Sequence, residues 1–473
     1  MQNNDRVWVP WALVSAIFVT GFVGIVFVDQ ANGTLRSGSV DTTIGWYLVS
    51  IVGFVFAVWW NERHPIGWRW LWIVAIVVRL LLLTTTPTLS DDVYRYIWEG
   101  HLISEGVSPY AAPILDSSLD AYDISARLLV NNPTLASPYL PAAHVAFGGA
   151  VTVLPSSPIT MQTMMVGFEL AAAGGLVMLL NLVGLARERV LLWLWNPLVI
   201  IEVAHGAHVD ALMIALTVAA LVLTFRTGLA RSRPAFVLAP ILLALATLTR
   251  PLPMLLLPVL FWRWRWSQRL LYVATIVGAI VPFGLWSGFG LGGDASGTGV
   301  FGSARIYTET FRFNTAVYQA VEGWVASQGL DDRGWNEPVA LTRLIVALAV
   351  IAILGWVWLR ARNVSSALDA LRLAAVPVIG YVLLAPVYHP WYGLLLFALL
   401  IFHTPLPGEG ALRWSLLAPW AWLAGATVFS YLTYRDPANF AELVWVRRLE
   451  WWPVLVGGAF VLALQRRSST VTA

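Results

Sequence analysis

The sequence predicts an all-α, multi-pass integral membrane protein, and its composition and the length of its apolar runs are the observations that predict it. Its 473 residues are 58% hydrophobic and only 12% charged, with a mean hydropathy of +0.72, which is not typical of a soluble domain. Apolar runs of about 20 residues, enough to cross a bilayer core, recur along the chain. We expect a single membrane domain over residues 1–473, with about 11–14 transmembrane or re-entrant helices.

Composition also limits the chemistry and the partners. The chain has no cysteine, which excludes disulfides and thiolate catalysis. The net charge of +3 gives no reason to expect a nucleic-acid partner, so the expected surroundings are membrane lipids.

The placement of arginine predicts the topology, because short loops on the cytoplasmic side are enriched in basic residues. With the N-terminus inside, crossings at residues 7–29, 43–60 and 70–87 carry the first large loop, residues 88–138, to the outer face. The same rule puts three more segments outside: residues 205–210, the second large loop at 288–337, and residues 388–392. The last of these lies within the predicted C-terminal helices, residues 338–473. The clusters used are Arg63/Arg69, Arg187/Arg189, Arg226/Arg231/Arg233, Arg263/Arg265/Arg269, Arg360/Arg362 and Arg466/Arg467.

Two segments do not fit simple crossings. Residues 139–155 satisfy the topology only as a re-entrant or interfacial segment. In residues 235–261, Pro251 and Pro253 interrupt backbone hydrogen bonding, and a broken helix at membrane depth is tolerated only beside protein or a wet cavity. We interpret this segment as a helical hairpin with Arg250 at its tip. The alternative is a single kinked crossing, which would place residues 205–210 inside.

The helix expected after Pro87 carries two adjacent carboxylates, in the stretch SDDVYRYIWEGHLISEGVSPY. Ser90 is a suitable N-cap, with Asp91 and Asp92 in the first turn. Asp91, Arg95 and Glu99 share one face, which predicts an amphipathic helix along the membrane surface. Two carboxylates could simply complement the helix dipole, by about 0.3–1 kcal/mol each. Two of them beside an aromatic-rich helix favour a functional site instead.

This stretch resembles the first external loop of polyprenyl-phosphate-sugar-dependent glycosyltransferases of the C type (GT-C). The likeness is closest to bacterial polyprenol-phosphate-mannose-dependent mannosyltransferases, which build lipoglycans of the cell envelope. Four further stretches are similar to that family in the same order, although Ala207 separates Gly206 from His208 and Arg250 stands where the family usually has Lys. They are NPLVIIEVAHGAHVDALMIAL, LATLTRPLPMLLLP, FRFNTAVY and HPWYGLLL.

The resemblance implies a GT-C fold with external-face amphipathic loop helices. It also implies transfer of a hexose, with mannose favoured by the resemblance, from a polyprenyl-phosphate donor to a lipid- or glycan-linked acceptor. Inverting transfer is a direct displacement that needs a carboxylate base and positive charge for the leaving phosphate. The second position of the pair recurs in the family, so Asp92 is the expected base. Asp91 would tune its charge or bind acceptor hydroxyls.

Several other side chains are candidates for substrate binding. A guanidinium keeps its charge at membrane depth and binds phosphate in a bidentate way, which suits Arg250. Arg95 would keep the two aspartates ionised, and its neighbour Tyr96 is a further candidate. The remaining candidates are His389 for the phosphate, Trp391 and Tyr392 for stacking on sugar, His208 and Asp210 for the acceptor or phosphate, and Asn314. No cofactor and no metal site is predicted, since the spacing of His205, His208 and Asp210 gives only a weak indication of zinc.

Each candidate has a structural alternative: a paired arginine for Arg250, an aromatic belt for the tryptophan and tyrosine, and a polar helix cap for residues 208–210. Arg79, Glu169 and Glu202 lie in apolar runs, so we expect them to be paired structurally. The glycine-rich start of residues 288–337 is compatible with a mobile lid or with disorder. The competing functions are a transporter or flippase, and a polymerase or ligase, of lipid-linked saccharides. We find no internal repeat of the kind that many transporters have.

Overall fold

The computed structural model describes residues 5–32, 40–226, 233–329, 338–404, 416–435 and 442–471. Arg231 and the end of the second predicted external loop, residues 330–337, lie outside the described residues. By its internal contacts the chain divides into two compact units. The first comprises residues 1–253, 266–310 and 434–437, and the second comprises residues 254–265, 311–433 and 438–473.

Helices account for nearly all regular structure described in the first unit, and half of them begin at a proline or an aspartate. They are α1 (Asp5–Asn32), α2 (Val40–Asn61), α3 (Trp68–Leu82), α4 (Asp92–Ser104), α5 (Pro141–Val153), α6 (Pro158–Leu182), α7 (Leu191–Leu194), α8 (Pro197–Ile200), α9 (Asp210–Phe225), α10 (Arg233–Thr247), α12 (Trp266–Ser287) and α13 (Gly302–Thr310).

The second unit is helical as well. It contains α11 (Leu257–Leu260), α14 (Tyr318–Ser327), α15 (Pro338–Ala361), α16 (Ala367–Leu384), α17 (Leu394–Leu400), α18 (Ala418–Ala426) and α19 (Val444–Val471). Within the described residues the β-structure is limited to an isolated bridge between Phe313 and Val387.

The predicted class of an all-α multi-pass membrane protein is confirmed. In the described part of the chain, six helices are long and apolar enough to cross a membrane, or seven if the bent pair Pro197–His205 and Asp210–Phe225 counts as one span. Three shorter apolar helices cover Pro141–Val153, Pro234–Thr247 and Pro390–His403. The prediction of about 11–14 transmembrane or re-entrant helices counts such shorter helices together with the full crossings.

Two predicted segments are shorter than a full crossing. The predicted crossing at residues 70–87 corresponds to α3, which ends at Leu82. A turn follows, in which the hydroxyls of Thr84 and Thr85 donate to the carbonyls of Leu81 and Leu82. Helix α5 has 13 residues, or about 20 Å at 1.5 Å per residue, against about 30 Å of hydrocarbon. This length agrees with the prediction of a re-entrant or interfacial segment at residues 139–155.

Small residues let α1 and α2 pack with their backbones close together. A Cβ added at Gly53 would lie 2.6 Å from the main-chain nitrogen of Phe18, and one at Gly21 would lie 2.6 Å from that of Ser50. Such contacts are typical of membrane helices, where packing rather than the hydrophobic effect drives association.

Arg79 and Glu169 form a buried ion pair between α3 and α6, as the sequence predicted. The Arg79 guanidinium donates through Nε and NH2 to the two carboxylate oxygens, at 2.6 and 2.8 Å. Its NH1 group also donates to the Leu194 carbonyl at 3.0 Å. Buried charges of this kind are tolerated when they are paired and fully hydrogen-bonded.

The glycine-rich start of the loop at residues 288–337 is held in place by hydrogen bonds to the first loop, residues 88–138. The Gly299 N–H donates to the Tyr110 carbonyl at 2.9 Å, and the Ala136 N–H donates to the Ser296 carbonyl at 3.0 Å. The Ser303 hydroxyl donates to the Ala136 carbonyl at 2.7 Å. The described part of this loop is therefore ordered against the first loop, and its movement as a lid stays a prediction.

Helix α4 is not the surface helix that the sequence predicted. It begins at Asp92, with Asp91 at the N-cap position, and the residues of its charged face, Arg95 and Glu99, are 1% and 2% exposed. Its other face meets α5 so closely that a Cβ at Gly100 would lie 2.8 Å from the Phe147 carbonyl oxygen. The amphipathic pattern is real, but other parts of the protein cover the polar face.

Candidate active site

The two aspartates at the start of α4 share one hydrogen-bond donor. The Asn131 side-chain nitrogen lies 3.0 Å from Asp91 Oδ1 and 2.8 Å from Asp92 Oδ1. The Ser90 hydroxyl accepts a bond from the Asp92 N–H at 3.3 Å. Both carboxylates are partly buried, and the Asp92 side chain is 14% exposed. Asn131 thus holds one oxygen of each carboxylate, and part of the Asp92 side chain stays accessible to a ligand.

Asp92 faces two further groups. The Tyr139 hydroxyl donates to Asp92 Oδ2 at 3.2 Å, and His208 Nδ1 lies 3.9 Å from the same oxygen. Burial, with the nearby Asp92 charge, raises the pKa of Tyr139 well above its usual range, and the same two causes raise the pKa of Tyr96. Tyr139 therefore stays a donor at any physiological pH. Donors around a carboxylate stabilise its negative charge.

A sharp break in the chain positions His208. The segments Pro197–His205 and Asp210–Phe225 are bent by 118°; the first ends in a π-helical turn, Ile201–His205. Ala207 has a φ of 56°, a left-handed conformation that costs a non-glycine residue energy and is frequent at functional sites. The turn brings His208 Nε2 to 3.2 Å from Glu202 Oε2, so the prediction that Glu202 is paired is confirmed.

A cation lies beside this group. Arg250 follows the end of α10, where the predicted break in residues 235–261 is found. Its Nε lies 3.0 Å from Asp210 Oδ2, and its guanidinium carbon lies 5.8 Å from the centre of the Tyr139 ring. The Arg250 side chain is 15% exposed, whereas Asp210 is 0% exposed. Asp92, Tyr96 and Arg250 thus lie next to Tyr139. The other predicted residues are linked to them: Asp91 to Asp92 through Asn131, His208 to Asp92 and Asp210 to Arg250.

Arg95 bonds to the loop that carries Asn131. Its guanidinium donates to the main-chain carbonyls of Asn131 and Asn132 and pairs with Glu99 at 3.2 Å. Tyr96 is fully buried and stacks on Phe147 of α5. Arg95 therefore holds the loop that carries Asn131, and Tyr96 packs α4 against α5.

The other predicted residues lie together in the second unit. His389 stacks between Phe313 and Trp391, with ring centroids 4.9 and 4.5 Å away, and Tyr392 contacts it edge-on at 5.4 Å. Asn314 donates to Glu450 at 2.6 Å. Its main-chain carbonyl accepts from the Trp451 indole at 2.9 Å. In this arrangement Asn314 supports α19.

Asn131 and Tyr139 were missed by the sequence analysis. They lie in the irregular segment between α4 and α5, which has no hydrophobic periodicity to mark their direction. The available signal was the pair of asparagines before Pro133, a turn-forming composition. In the described residues, no group of three or more histidine and acidic side chains has a geometry that could hold a metal ion.

Comparison with known proteins places the chain in a family. Residues 14–266 match the family described as "Alpha-(1->6)-mannopyranosyltransferase, N-terminal domain". A relative from Mycobacterium tuberculosis, "Alpha-(1->6)-mannopyranosyltransferase A", is 26% identical over 402 residues, which cover 75% of this chain and 73% of the relative. No solved structure matches the chain. The predicted resemblance is confirmed, and it favours the glycosyltransferase over the transporter and polymerase alternatives. The chain therefore belongs to the alpha-(1->6)-mannopyranosyltransferase family, and it is a membrane glycosyltransferase.

Proposed function

We propose that this enzyme transfers mannose from a polyprenyl-phosphate donor to a hydroxyl of a lipid- or glycan-linked acceptor at the outer face of the cell membrane. The observation that carries the proposal is that Asp92 and Arg250 both lie next to Tyr139. The tyrosine hydroxyl bonds to Asp92, and its ring lies 5.8 Å from the Arg250 guanidinium carbon. Glycosyl transfer from a phosphate needs a carboxylate base and a positive charge for the leaving phosphate, and Asp92 and Arg250 supply them next to the same tyrosine.

In the proposed reaction, Asp92 accepts the proton of the acceptor hydroxyl as its oxygen bonds to the anomeric carbon of the donor. The bond between that carbon and the phosphate oxygen breaks, and the phosphate leaves with the electron pair. Arg250 stabilises the charge on the phosphate. Direct displacement inverts the anomeric centre, so a β-linked donor gives an α-linked product. The name of the mycobacterial relative also specifies an α linkage.

A lipid donor is supported by the surroundings of the site. Arg250 lies just beyond α10, an apolar helix of 15 residues with one proline inside, in a protein with at least six candidate spans in its described part. A polyprenyl phosphate keeps its tail in the bilayer and its phosphate near the interface, which is where a broken helix can present a cation. His389, Trp391 and Tyr392 remain proposed contacts for the phosphate and the sugar.

The test compares Asp92→Asn with Asp91→Asn in purified protein, supplied with polyprenyl-phosphate mannose and a mannoside acceptor. Removing a positioned base costs about 10²–10⁴ in rate, so Asp92→Asn should fold, bind the donor and transfer almost no mannose. Asp91→Asn should be impaired less. Asp123→Asn is the matched control, because this carboxylate lies on the same loop and its side chain is 54% exposed.

Two results would contradict parts of the proposal. An inactive Asp91→Asn with a nearly normal Asp92→Asn would exchange their roles, and full activity of both would leave the pair with only a structural role. The donor is tested separately by replacing the lipid donor with a nucleotide mannose. Transfer from the nucleotide alone would reject the lipid-phosphate donor, whatever the aspartate variants show.

A further inference from the structure

The Asn131 side chain makes hydrogen bonds to both aspartates. Its amide nitrogen donates to Oδ1 of Asp91 at 3.0 Å and to Oδ1 of Asp92 at 2.8 Å. An amide NH2 group has two hydrogens, so it can serve both carboxylates at once. It therefore occupies one oxygen of each carboxylate and sets the distance between them.

The orientation of this amide is itself fixed. Arg95 Nε donates to Asn131 Oδ1 at 3.4 Å, which leaves the amide nitrogen facing the aspartates. Arg95 NH2 donates to the main-chain carbonyls of Asn131 and, at 3.1 Å, of Asn132. Asn132 has a φ of 43°, a left-handed conformation that asparagine tolerates better than most residues. One guanidinium thus holds both the side chain and the backbone of Asn131.

Arg95 is in turn held from behind. Its NH1 group lies 3.2 Å from Glu99 Oε1. The other oxygen, Glu99 Oε2, accepts from the Ser137 hydroxyl at 2.8 Å and lies 3.0 Å from His144 Nε2 on α5. All four residues are at least nine-tenths buried. A continuous polar chain therefore runs from α5 through Glu99, Arg95 and Asn131 to the aspartates.

We propose that Asn131 is a positioning residue that holds Asp91 and Asp92 in one fixed arrangement for the reaction, and that Arg95 acts through it. The inference rests on the proposed function, because it assigns Asp92 as the base. Two adjacent carboxylates repel each other, and a donor shared between them offsets that repulsion. Without it, the pair would turn apart or share a proton. Other titratable groups that act on Asp92 include Tyr96, Tyr139, His208 and Asp210, and Arg250 pairs with Asp210.

Two substitutions test this role through different readouts. Asn131→Ala removes the shared donor, and we expect kcat to fall about 10- to 100-fold with donor KM changed less than about threefold, because no donor contact is lost. Asn131→Asp keeps the size but adds a third carboxylate. Like charges favour the protonated form, so the acid limb of the kcat profile should move to higher pH by about one unit or more.

Asp123→Asn is the matched control. This carboxylate lies on the same loop as Asn131 and its side chain is 54% exposed, so kcat and its pH profile should stay as in the parent enzyme. Two results would overturn the proposal: an unmoved acid limb in Asn131→Asp, or losses of kcat in Asn131→Ala that equal those of Asp123→Asn. Failure here would leave Asp92→Asn inactive, whereas failure of the proposed function would leave Asp92→Asn active.

Discussion

Arg250 and Asp210 form an ion pair in which only one partner is sealed from solvent. The Arg250 Nε atom lies 3.0 Å from Asp210 Oδ2, and the side chains are 15% and 0% exposed, respectively. A fully buried carboxylate needs a cation or hydrogen bonds to offset its loss of hydration. Arg250 therefore has a structural partner as well as an accessible surface for a ligand.

Arg250→Gln should raise the donor KM by roughly 10- to 150-fold, because it removes a charge-assisted contact of about 1.5–3 kcal/mol with the phosphate. The acceptor KM should change much less. Arg250→Lys should keep part of the activity, since it retains the charge. Steady-state kinetics with the donor and the acceptor varied in turn measure the difference.

The ion pair provides the control for this prediction. Removing Arg250 alone leaves Asp210 uncompensated, which typically costs about 3–5 kcal/mol when both partners are buried and less for a partly exposed arginine. The double variant Arg250→Gln with Asp210→Asn removes both charges, so the melting temperature should recover while the donor KM stays high. Recovery of both quantities in the double variant would make Arg250 a purely structural residue.

His208 lies between two carboxylates, Nδ1 at 3.9 Å from Asp92 Oδ2 and Nε2 at 3.2 Å from Glu202 Oε2. We expect His208→Gln to lower kcat by about 10- to 100-fold, less than the loss of the base itself, because it removes the imidazole that lies beside Asp92 and is paired with Glu202. His205→Gln is the control. That histidine is equally buried but bonds to Thr85 and Thr88, so its loss should lower thermal stability and leave kcat unchanged. Equal effects of both substitutions on kcat would contradict the role of His208.

The sequence predicted those parts of the site that follow from local patterns. Asp91 and Asp92 at a helix start, a polar turn at residues 205–210 and a proline break at Arg250 each have a short-range signal. The pairing of Arg79 was predictable because a charge in an apolar run needs a partner. These elements carry most of the titratable groups of the site.

The rest depends on contacts that no local pattern encodes. The charged face of α4 predicts a helix on the membrane surface. In the structure Arg95 bonds instead to main-chain carbonyls about 36 residues away. Every residue has a main-chain carbonyl, so the sequence does not indicate which ones will accept these bonds. Asn131 and Tyr139 come from the same irregular segment. The predicted crossing at residues 70–87 is longer than α3 because the prediction ended it at Pro87, whereas the helix ends at Leu82, before the threonines.

The structure links the two loops that the sequence predicts to be external, residues 88–138 and the start of residues 288–337, which makes their sidedness testable. The loops are joined by hydrogen bonds from Ala136 to Ser296 and from Gly299 to Tyr110. Ser117 and Ala295 are exposed positions on these two loops, and Ala186 is exposed in the arginine-bearing turn that the sequence places inside. The chain has no native cysteine, so single cysteines can be labelled without background.

We expect Ser117→Cys and Ala295→Cys to react with an impermeant thiol reagent added to intact cells, because the hydrogen-bonded loops must lie on the same side of the membrane. Ala186→Cys should react only after permeabilisation, since loops with arginine are retained in the cytoplasm. Labelling is read as a gel shift of the purified protein, with transfer activity as the measure of correct folding. Reaction of Ala186→Cys in intact cells together with protection of the other two would invert the topology and place Asp92 on the cytoplasmic face. Labelling of only one of the two loop cysteines would contradict the contact between the loops.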